Sequence, residues 1–432
     1  MQSKAAPTAH QVMSDGVFTF VLRVVNIVAA LGLGILTARL LGPAGKGVYA
    51  LPMVQAGLIS TFFTGLASST AFYLLNRNAG RRIVGIASLS ALLLVVGGSV
   101  AVAIVALISR TPWAGIAAIV SLPAVAATNL VTGYVTGIKR IRFATTLTFA
   151  TTLATFALMA VGLFLVARSA WVAIVVWIVA TTLVAIVAYA VMLVHARSLD
   201  AGEPVPFRGF LNMTAKVGAT NFVSLLNYRA DLYIVAVLLP PAALGLYTVA
   251  VSAAESLLVP TQVAALVTSP HIGGLERSRA AALAARCVRN NMLASTVVCA
   301  ALFAIAPWIV GLLYGQAFLP LVPALRILLL GVVALSLGSP ISSYYTLKLG
   351  KPEIPLVLAG LSAAICISVT VLLVPHLGLS GAAIGSTVAY IGGQGLGIAY
   401  FGRMTGLRWT TVLIPTLDDL RLYYDFARRA WT

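Results

Sequence analysis

Long apolar runs, repeated along the whole chain, constrain the fold more than any other feature of this sequence. The runs from Val84 to Ile108 and from Ala144 to Ala167 are apolar on every side. About 20 such residues span the hydrocarbon core of a bilayer as a helix, and only helices or closed barrels satisfy their own backbone there. Barrel strands alternate polar and apolar residues. The runs therefore predict transmembrane helices.

The composition agrees with a chain that is almost entirely embedded in lipid. Of 432 residues, 60% are hydrophobic and 9% are charged, whereas soluble domains carry about 25% charged residues. The sequence predicts an all-α integral membrane protein of about twelve transmembrane helices. The first apolar segment is too long for a cleaved signal peptide, so we expect it to remain as helix one. The predicted helices cover residues 17–40, 47–75, 83–108, 114–137, 143–166, 170–194, 213–239, 244–270, 288–314, 321–347, 353–374 and 379–402.

The net charge of +18 lies mainly on alternate loops. One side, which we call the basic side, collects 21 Lys and Arg residues and both termini, and the opposite side has only Arg39, Lys46, Arg110 and Arg168. Positive loops stay in the cytoplasm, so we expect a bacterial inner-membrane protein with both termini cytoplasmic. The charge is thus a topology signal, and a nucleic-acid partner is not expected.

A short internal repeat divides the chain into two halves. Residues 41–49 and 239–247 share Leu, Pro, Ala, Gly and Tyr without a gap, at an offset of 198 residues, after helices one and seven. Because each half has six helices, the halves are expected to be lobes related by a pseudo-two-fold axis along the membrane normal, around a central cavity. We predict lobes at residues 1–200 and 207–402, joined by a Gly- and Pro-containing linker at 196–212.

The tail, residues 403–432, changes character. Thr416 is a candidate helix cap, and apolar and basic residues beyond it recur at helical spacing. This pattern predicts an amphipathic helix on the cytoplasmic membrane surface, with a disordered tail as the alternative.

Catalytic and metal-binding motifs do not emerge from the sequence. The Gly42–Gly47 stretch lacks the spacing and the Ser/Thr of a phosphate-binding loop. The three cysteines have no CxxC spacing, and the four histidines lie outside helices or at their predicted ends, where solvated side chains are expected. We therefore expect no enzyme activity, no cofactor and no metal.

Ionisable residues within the membrane mark functional sites by default. Arg229 lies ten residues before Leu239, and Glu255 lies ten residues after Gly245, so both are roughly 15 Å deep in an antiparallel hairpin and are able to pair. Asp231 points to the opposite side of its helix from Arg229. The pair has either a transport role or a purely structural one.

Arg23, with Asn26 one turn along, lies in helix one, and no acidic residue occurs between Asp15 and Asp200. An unpaired guanidinium that faces a cavity suits a phosphate-bearing substrate. Arg326 lies about 8 Å from the outer end of its helix and is expected to snorkel to the headgroups.

At two stretches the sequence resembles polysaccharide flippases of the Wzx type, in the multidrug/oligosaccharidyl-lipid/polysaccharide exporter superfamily. The first stretch, residues 37–49, has Arg39, Gly42, Pro43, Gly47 and Tyr49. The second has Asn227, Arg229, Asp231, Pro241, Gly245, Tyr247 and Glu255. Ala230 stands where the family more often has Ile. The resemblance implies a V-shaped pair of six-helix lobes that moves an undecaprenyl-diphosphate-linked glycan to the outer leaflet.

Two other functions remain open. One is a cation-coupled drug or metabolite exporter of the same superfamily. The other is a membrane glycan polymerase or ligase, against which the short outer loops argue. The expected partners are the lipid-linked glycan, membrane lipids and the glycan polymerase and export machinery.

Overall fold

The structure is a computed structural model that describes residues 9–416 and residue 419, with side chains from residue 18 onward except those of residues 20, 141, 263, 266 and 267. All regular structure within these residues is helical. The first six helices are α1 (residues 9–41) and α2 (residues 43–76), which form the continuous Ala9–Asn76 segment, then α3 (Arg82–Ile108), α4 (Pro112–Gly137), α5 (Ile141–Val161, extended by a π-helical turn at Gly162–Val166) and α6 (Ala170–Ala196).

The second half has the same number of membrane segments. They are α7 (Phe207–Leu238), α8 (Pro241–Ser256 continued by Val259–Gly274), α9 (Arg277–Leu313), α10 (residues 316–348, with a turn at 336–337 and a π-helical end at Tyr344–Lys348), α11 (residues 353–377) and α12 (residues 379–405). The short helix α13 (Trp409–Leu413) follows.

Eight described segments are long and apolar enough to cross a bilayer. Two of them, Val21–Asn76 and Glu353–Thr405, are each two helices joined at a non-helical glycine, Gly42 or Gly378. With α7 and the two-part α8, twelve membrane helices result, and the predicted all-α membrane fold is confirmed. Large apolar side chains such as Leu107 and Leu165 are exposed on the helix surfaces, as a lipid environment requires.

Contacts between helices divide the chain into two compact units, one ending at Phe222 and the other beginning at Val223. The division falls within α7 and not within the linker at 196–212. Each unit has a central helix: 56% of the apolar window is buried in α4 and in α10, against 28% or less in the other spanning segments. Helices α4 and α10 are each the fourth of their half, so the two halves repeat their packing order as well as their sequence motif.

Two of the prolines within helices of the second unit leave a carbonyl without its helical N–H donor, and in both cases a side chain of a neighbouring helix donates to that carbonyl. Pro340 has no N–H to donate to the carbonyl of Ser336 four residues earlier, and the Asn291 amide donates to that oxygen at 3.1 Å. Such compensation is needed because a buried carbonyl without a donor is costly.

The second opened carbonyl belongs to Phe303, whose regular donor would be residue 307, a proline. The Arg326 Nε donates to this oxygen at 3.1 Å, and the guanidinium also lies 4.9 Å from the Phe303 ring centroid. Arg326 therefore braces α10 against α9. Its expected role as a side chain that only snorkels to the headgroups is wrong.

Small residues such as Gly381, Gly385 and Gly393 let α12 approach α11 closely. A Cβ at Gly381 would lie 2.6 Å from the carbonyl of Leu373, and one at Gly393 would lie 2.8 Å from the Ser362 side chain. Close backbone approach of this kind is the usual means of helix association in membranes.

The start of the tail packs on the second unit. Val412 is fully buried in a cluster with residues of α8, α9, α10 and α12. Arg289 donates through Nη1 to the carbonyl of Thr411 at 2.6 Å and through Nε to Asp419 at 2.6 Å, and Arg286 lies 3.5 Å from the same carboxylate. This part of the tail is thus not free on the membrane surface, and the predicted helix beyond residue 419 lies outside the described residues.

The predicted cap at Thr416 is present. Asp419 accepts from the Thr416 N–H at 3.0 Å, and its own N–H points to the Thr416 hydroxyl at 3.4 Å, which is the reciprocal pattern of a capping box. Burial alone would raise the pKa of the Asp419 carboxyl. The hydrogen bonds from Arg289 and Thr416 outweigh this effect and lower the pKa from 3.8 to about 2, so the carboxylate is charged at neutral pH.

Candidate functional site

The first hairpin, α1–α2, turns at the motif that the two halves share. Gly42 has φ 65° and ψ 178°, a region that glycine alone adopts readily, and Pro43 begins α2, where a missing N–H is tolerated. Gly47 is buried and Arg39 is exposed. The glycine and the proline of the motif therefore serve the turn itself.

A partly buried lysine lies between the two helices of this hairpin. Lys46 donates to the hydroxyl of Thr37 at 2.6 Å and lies 5.4 Å from the ring centroid of Tyr49. Thr37 in turn donates to the carbonyl of Leu33 at 2.8 Å. Both Thr37 and Tyr49 are almost inaccessible, so the cation is held between α1 and α2 by a hydroxyl and an aromatic ring.

The second hairpin, α7–α8, makes the equivalent turn with a different backbone. Pro240 is extended, with φ −65° and ψ 158°, and Pro241 begins α8. Gly245 is buried. Tyr247, the counterpart of Tyr49, donates its hydroxyl to Asp231 at 2.6 Å. The repeated tyrosine thus meets a cation in the first half and a carboxylate in the second.

Asp231 is fully enclosed. Its Oδ2 accepts from the hydroxyls of Tyr247 and Ser386, both at 2.6 Å, and its Oδ1 accepts from the N–H of Leu232 at 2.7 Å. Only 2% of the residue is exposed. Because Tyr247 lies on α8 and Ser386 on α12, these hydrogen bonds join α7 to both helices through Asp231. Ser386 lies 155 residues away in sequence, and nothing in the local pattern marks it as a partner.

Arg229 and Glu255 form an ion pair, with Nη2 2.7 Å from Oε2. The pairing agrees with their equal depth in the hairpin, and Arg229 points away from Asp231 as the spacing predicts. About a third of the Arg229 side chain and a quarter of the Glu255 side chain are exposed. In contrast to Asp231, both side chains of this pair are therefore partly accessible from outside the protein.

Arg23 and Asn26 lie together on α1. The Arg23 side chain is exposed and forms no ion pair or hydrogen bond with any side chain that the structure describes. The Asn26 Oδ1 is buried and has no hydrogen-bond partner among the residues that the structure describes, which is unusual for a buried polar atom. Both residues therefore retain the capacity to bind a polar ligand.

Among the described residues, no group of three His, Cys, Asp or Glu side chains is arranged to hold a metal ion. One histidine differs from expectation: His195 is not simply solvated, because its Nδ1 lies 2.8 Å from the Tyr134 hydroxyl, in a bond that joins α6 to α4. This contact is structural, and it joins two ends of helices in the first unit.

Comparison with known proteins places these features in a family. A family model described as polysaccharide biosynthesis protein matches residues 36–323. No curated protein sequence matches the chain. Among solved structures, an inward-facing multidrug resistance transporter of the MATE family, in the MOP superfamily, has a TM-score of 0.73 at 17% identity, covering 88% of this chain and 94% of its own.

Two other solved structures share the fold. The lipid II flippase MurJ in an inward closed conformation has a TM-score of 0.69 at 14% identity, over 96% of this chain and 93% of its own. A MOP-superfamily transporter from Pyrococcus furiosus has a TM-score of 0.56 at 16% identity, over 90% and 93%. The protein is thus a multi-pass membrane protein that shares the fold of these MOP-superfamily structures, and because the family model matches about two thirds of its length it belongs to the polysaccharide biosynthesis protein family.

Proposed function

We propose that the protein moves a polyprenyl-diphosphate-linked oligosaccharide across the bacterial inner membrane, from the cytoplasmic leaflet, where the basic loops and both termini lie, to the outer leaflet. The match to the polysaccharide biosynthesis family over residues 36–323 carries this proposal, because a glycan assembled on a lipid carrier in the cytoplasm has to cross the membrane before export. A drug exporter of the same fold has no such link to polysaccharide synthesis.

The charge distribution inside the membrane supports a diphosphate cargo. Arg23 has no ion-pair partner among the described side chains, and the first acidic residue that follows it in the sequence is Asp200. A guanidinium binds phosphate oxygens through two parallel hydrogen bonds, and such a ligand would neutralise a cation that is otherwise costly in a membrane helix. The Asn26 amide, one turn along, supplies a further polar contact.

Arg229 is the matching cation in the second unit. It donates to Glu255 through Nη2, whereas a guanidinium has five N–H donors. Because the pair is partly exposed, a diphosphate is able to replace the carboxylate of Glu255 as the partner of Arg229. In this scheme Glu255 keeps Arg229 neutralised while no cargo is bound, and Asp231 holds α7 in place through Tyr247 and Ser386.

The proposal is tested by flipping of a polyprenyl-diphosphate oligosaccharide in proteoliposomes, with protein level measured in parallel. Arg23→Ala is expected to abolish flipping at unchanged protein level, and Arg23→Lys, which keeps the charge but not the planar fork, is expected to retain part of it. Arg77→Ala, an exposed residue of a basic loop, is the matched control. Full activity of Arg23→Ala would contradict the proposal.

A further inference from the structure

The linker that joins the two halves of the chain is held by its backbone to a loop of the first unit. The N–H of Arg81 donates to the carbonyl of Asp200 at 2.8 Å, and the N–H of Arg82 donates to that of Ala201 at 3.3 Å. In the reverse direction, the N–H of Glu203 donates to the carbonyl of Asn78 at 2.9 Å. We call residues 78–82 and 200–203 the clasp.

Two glycines bring the strands of the clasp into direct contact. Gly80 has φ +54° and Gly202 has φ +73°, and the Cα of Gly202 would lie 2.8 Å from a Cβ at Gly80. A Cβ at Gly202 would fall on the carbonyl of Ala79, which is fully buried. No side chain separates the two backbones, so the clasp opens only if these hydrogen bonds and this packing are lost together.

The first half of α7 is fixed to the same unit. A Cβ at Gly218 would lie 3.1 Å from the Cα of Phe62, so α7 and α2 touch at the backbone. Near this crossing, the Asn221 amide donates to the Thr64 hydroxyl at 2.6 Å, and the rings of Phe222 and Phe62 lie 5.9 Å apart. Residues 207–222 thus continue the rigid connection that the clasp begins.

The second half of α7 belongs to the other unit. Ala230 is buried against Cys366 and Ala389, and Asp231 bonds Tyr247 and Ser386. Between Phe222 and Asn227 lie four partly buried residues, 223–226, and the boundary between the compact units falls at their start.

We propose that the clasp stays closed throughout the transport cycle, and that any change of angle between the units is taken up by bending of α7 within residues 223–226. The long linker, despite its glycine and prolines, is then a rigid part of the first unit and not a flexible connection. This inference holds whatever the cargo is, because it rests on the backbone contacts of the clasp and of α7.

The first test locks the clasp. The double variant Arg81→Cys/Asp200→Cys has two exposed cysteines at positions whose backbone atoms are hydrogen-bonded to each other. A short bifunctional reagent that reacts with thiols and is cleaved by a reductant spans this distance. The native cysteines are retained, and the parent protein carried through the same treatment is the control. Export within about two-fold of the reduced protein is expected, and any larger loss that a reductant reverses would overturn the inference.

Hydrogen exchange of the unmodified protein gives a readout that does not depend on the cargo. The amides of Arg81, Arg82 and Glu203 are expected to exchange at least about ten-fold more slowly than unstructured peptide, because each is hydrogen-bonded across the clasp. Exchange at the unstructured rate would show that the clasp opens freely. If the parent protein flips no lipid-linked glycan, the proposed function fails while this test still decides the clasp.

The position of the bend is tested by glycine substitution. Leu225→Gly is compared with Leu225→Ala. Ala219→Gly, in the part of α7 that is fixed to the first unit, is compared with the wild type. Glycine loosens a helix relative to alanine, so a several-fold difference in transport rate is expected at residue 225 and none at residue 219. Equal effects at the two positions would place the bend elsewhere.

Discussion

Replacement of Pro307 tests whether Arg326 acts as a substitute hydrogen-bond donor for the Phe303 carbonyl. In the structure the Arg326 Nε donates at 3.1 Å to the Phe303 carbonyl, which Pro307 leaves without its helical partner. A hydrogen bond from a charged donor contributes about 1.5–3 kcal/mol in water-soluble proteins, and side-chain bonds between membrane helices average about 0.6 kcal/mol with a maximum near 1.7. We therefore expect Arg326→Ala to lower the free energy of unfolding by about 1–2 kcal/mol.

The same substitution is expected to matter less once the regular donor is restored. Pro307→Ala returns an N–H to residue 307, within a helix that is regular on both sides, so the carbonyl of Phe303 keeps a partner when Arg326 is removed. Only the stacking of the guanidinium on the Phe303 ring, about 0.5–1 kcal/mol, is then lost. The two substitutions should show a coupling energy of about 1 kcal/mol.

Reversible unfolding of the wild type, both single variants and the double variant in mixed detergent micelles measures this coupling. Pro123→Ala, in α4 of the first unit, combined with Arg326→Ala is the control pair, and its effects should add. Additive effects of Pro307→Ala and Arg326→Ala would refute the explanation, because Arg326 would then stabilise the protein independently of the open carbonyl.

Three further predictions follow from the structure. Glu255→Gln should keep the folded yield and lower glycan flipping, with Glu276→Gln as the control; a loss of folded protein would instead make the Arg229–Glu255 pair a structural brace. The pKa of Asp419 is lowered to about 2 from 3.8, so the folded state gains stability above about pH 4 and loses about 2 kcal/mol as the pH falls from 4 to 2. Asp419→Asn should flatten this part of the profile of unfolding free energy against pH, and an unchanged profile would contradict the assignment. Reporter fusions at Asn78, Arg140 and Glu276 should report the cytoplasm, and those at Gly42 and Pro240 the outside; the reverse pattern would overturn the orientation.

The membrane helices were predictable because each depends on local sequence alone. A helix in lipid satisfies its own backbone, so the apolar runs place α2–α6 within a few residues of their positions in the structure. The Arg229–Glu255 pair was also predictable, since counting residues from the turn of a hairpin gives equal depths. Helix α9 was predicted to begin at residue 288 and begins at Arg277, because alanines of its first turns pack into the second unit despite the arginines among them.

Contacts between distant parts of the chain were not predictable. Ser386 is 155 residues from Asp231, and Asp419 is 130 residues from Arg289; neither partner has a spacing that singles it out. A proline within a helix leaves the carbonyl four residues earlier without its donor, but the neighbouring side chain that compensates, Asn291 for Pro340 and Arg326 for Pro307, depends on packing between helices. In the sequence, the two glycines of the clasp, Gly80 and Gly202, are indistinguishable from ordinary turn residues, and only the structure shows that they are in contact.

The two tyrosines of the internal repeat have different partners in the two halves of the chain. Tyr49 lies beside Lys46, whose counterpart in the second half is Leu244, and Tyr247 bonds Asp231, whose counterpart in the first half is Leu33. In a dimer of one identical six-helix chain, each hairpin would have to hold both ionisable side chains or neither. Because the two halves are parts of one chain and differ in sequence, each hairpin holds a different ionisable side chain beside the same tyrosine.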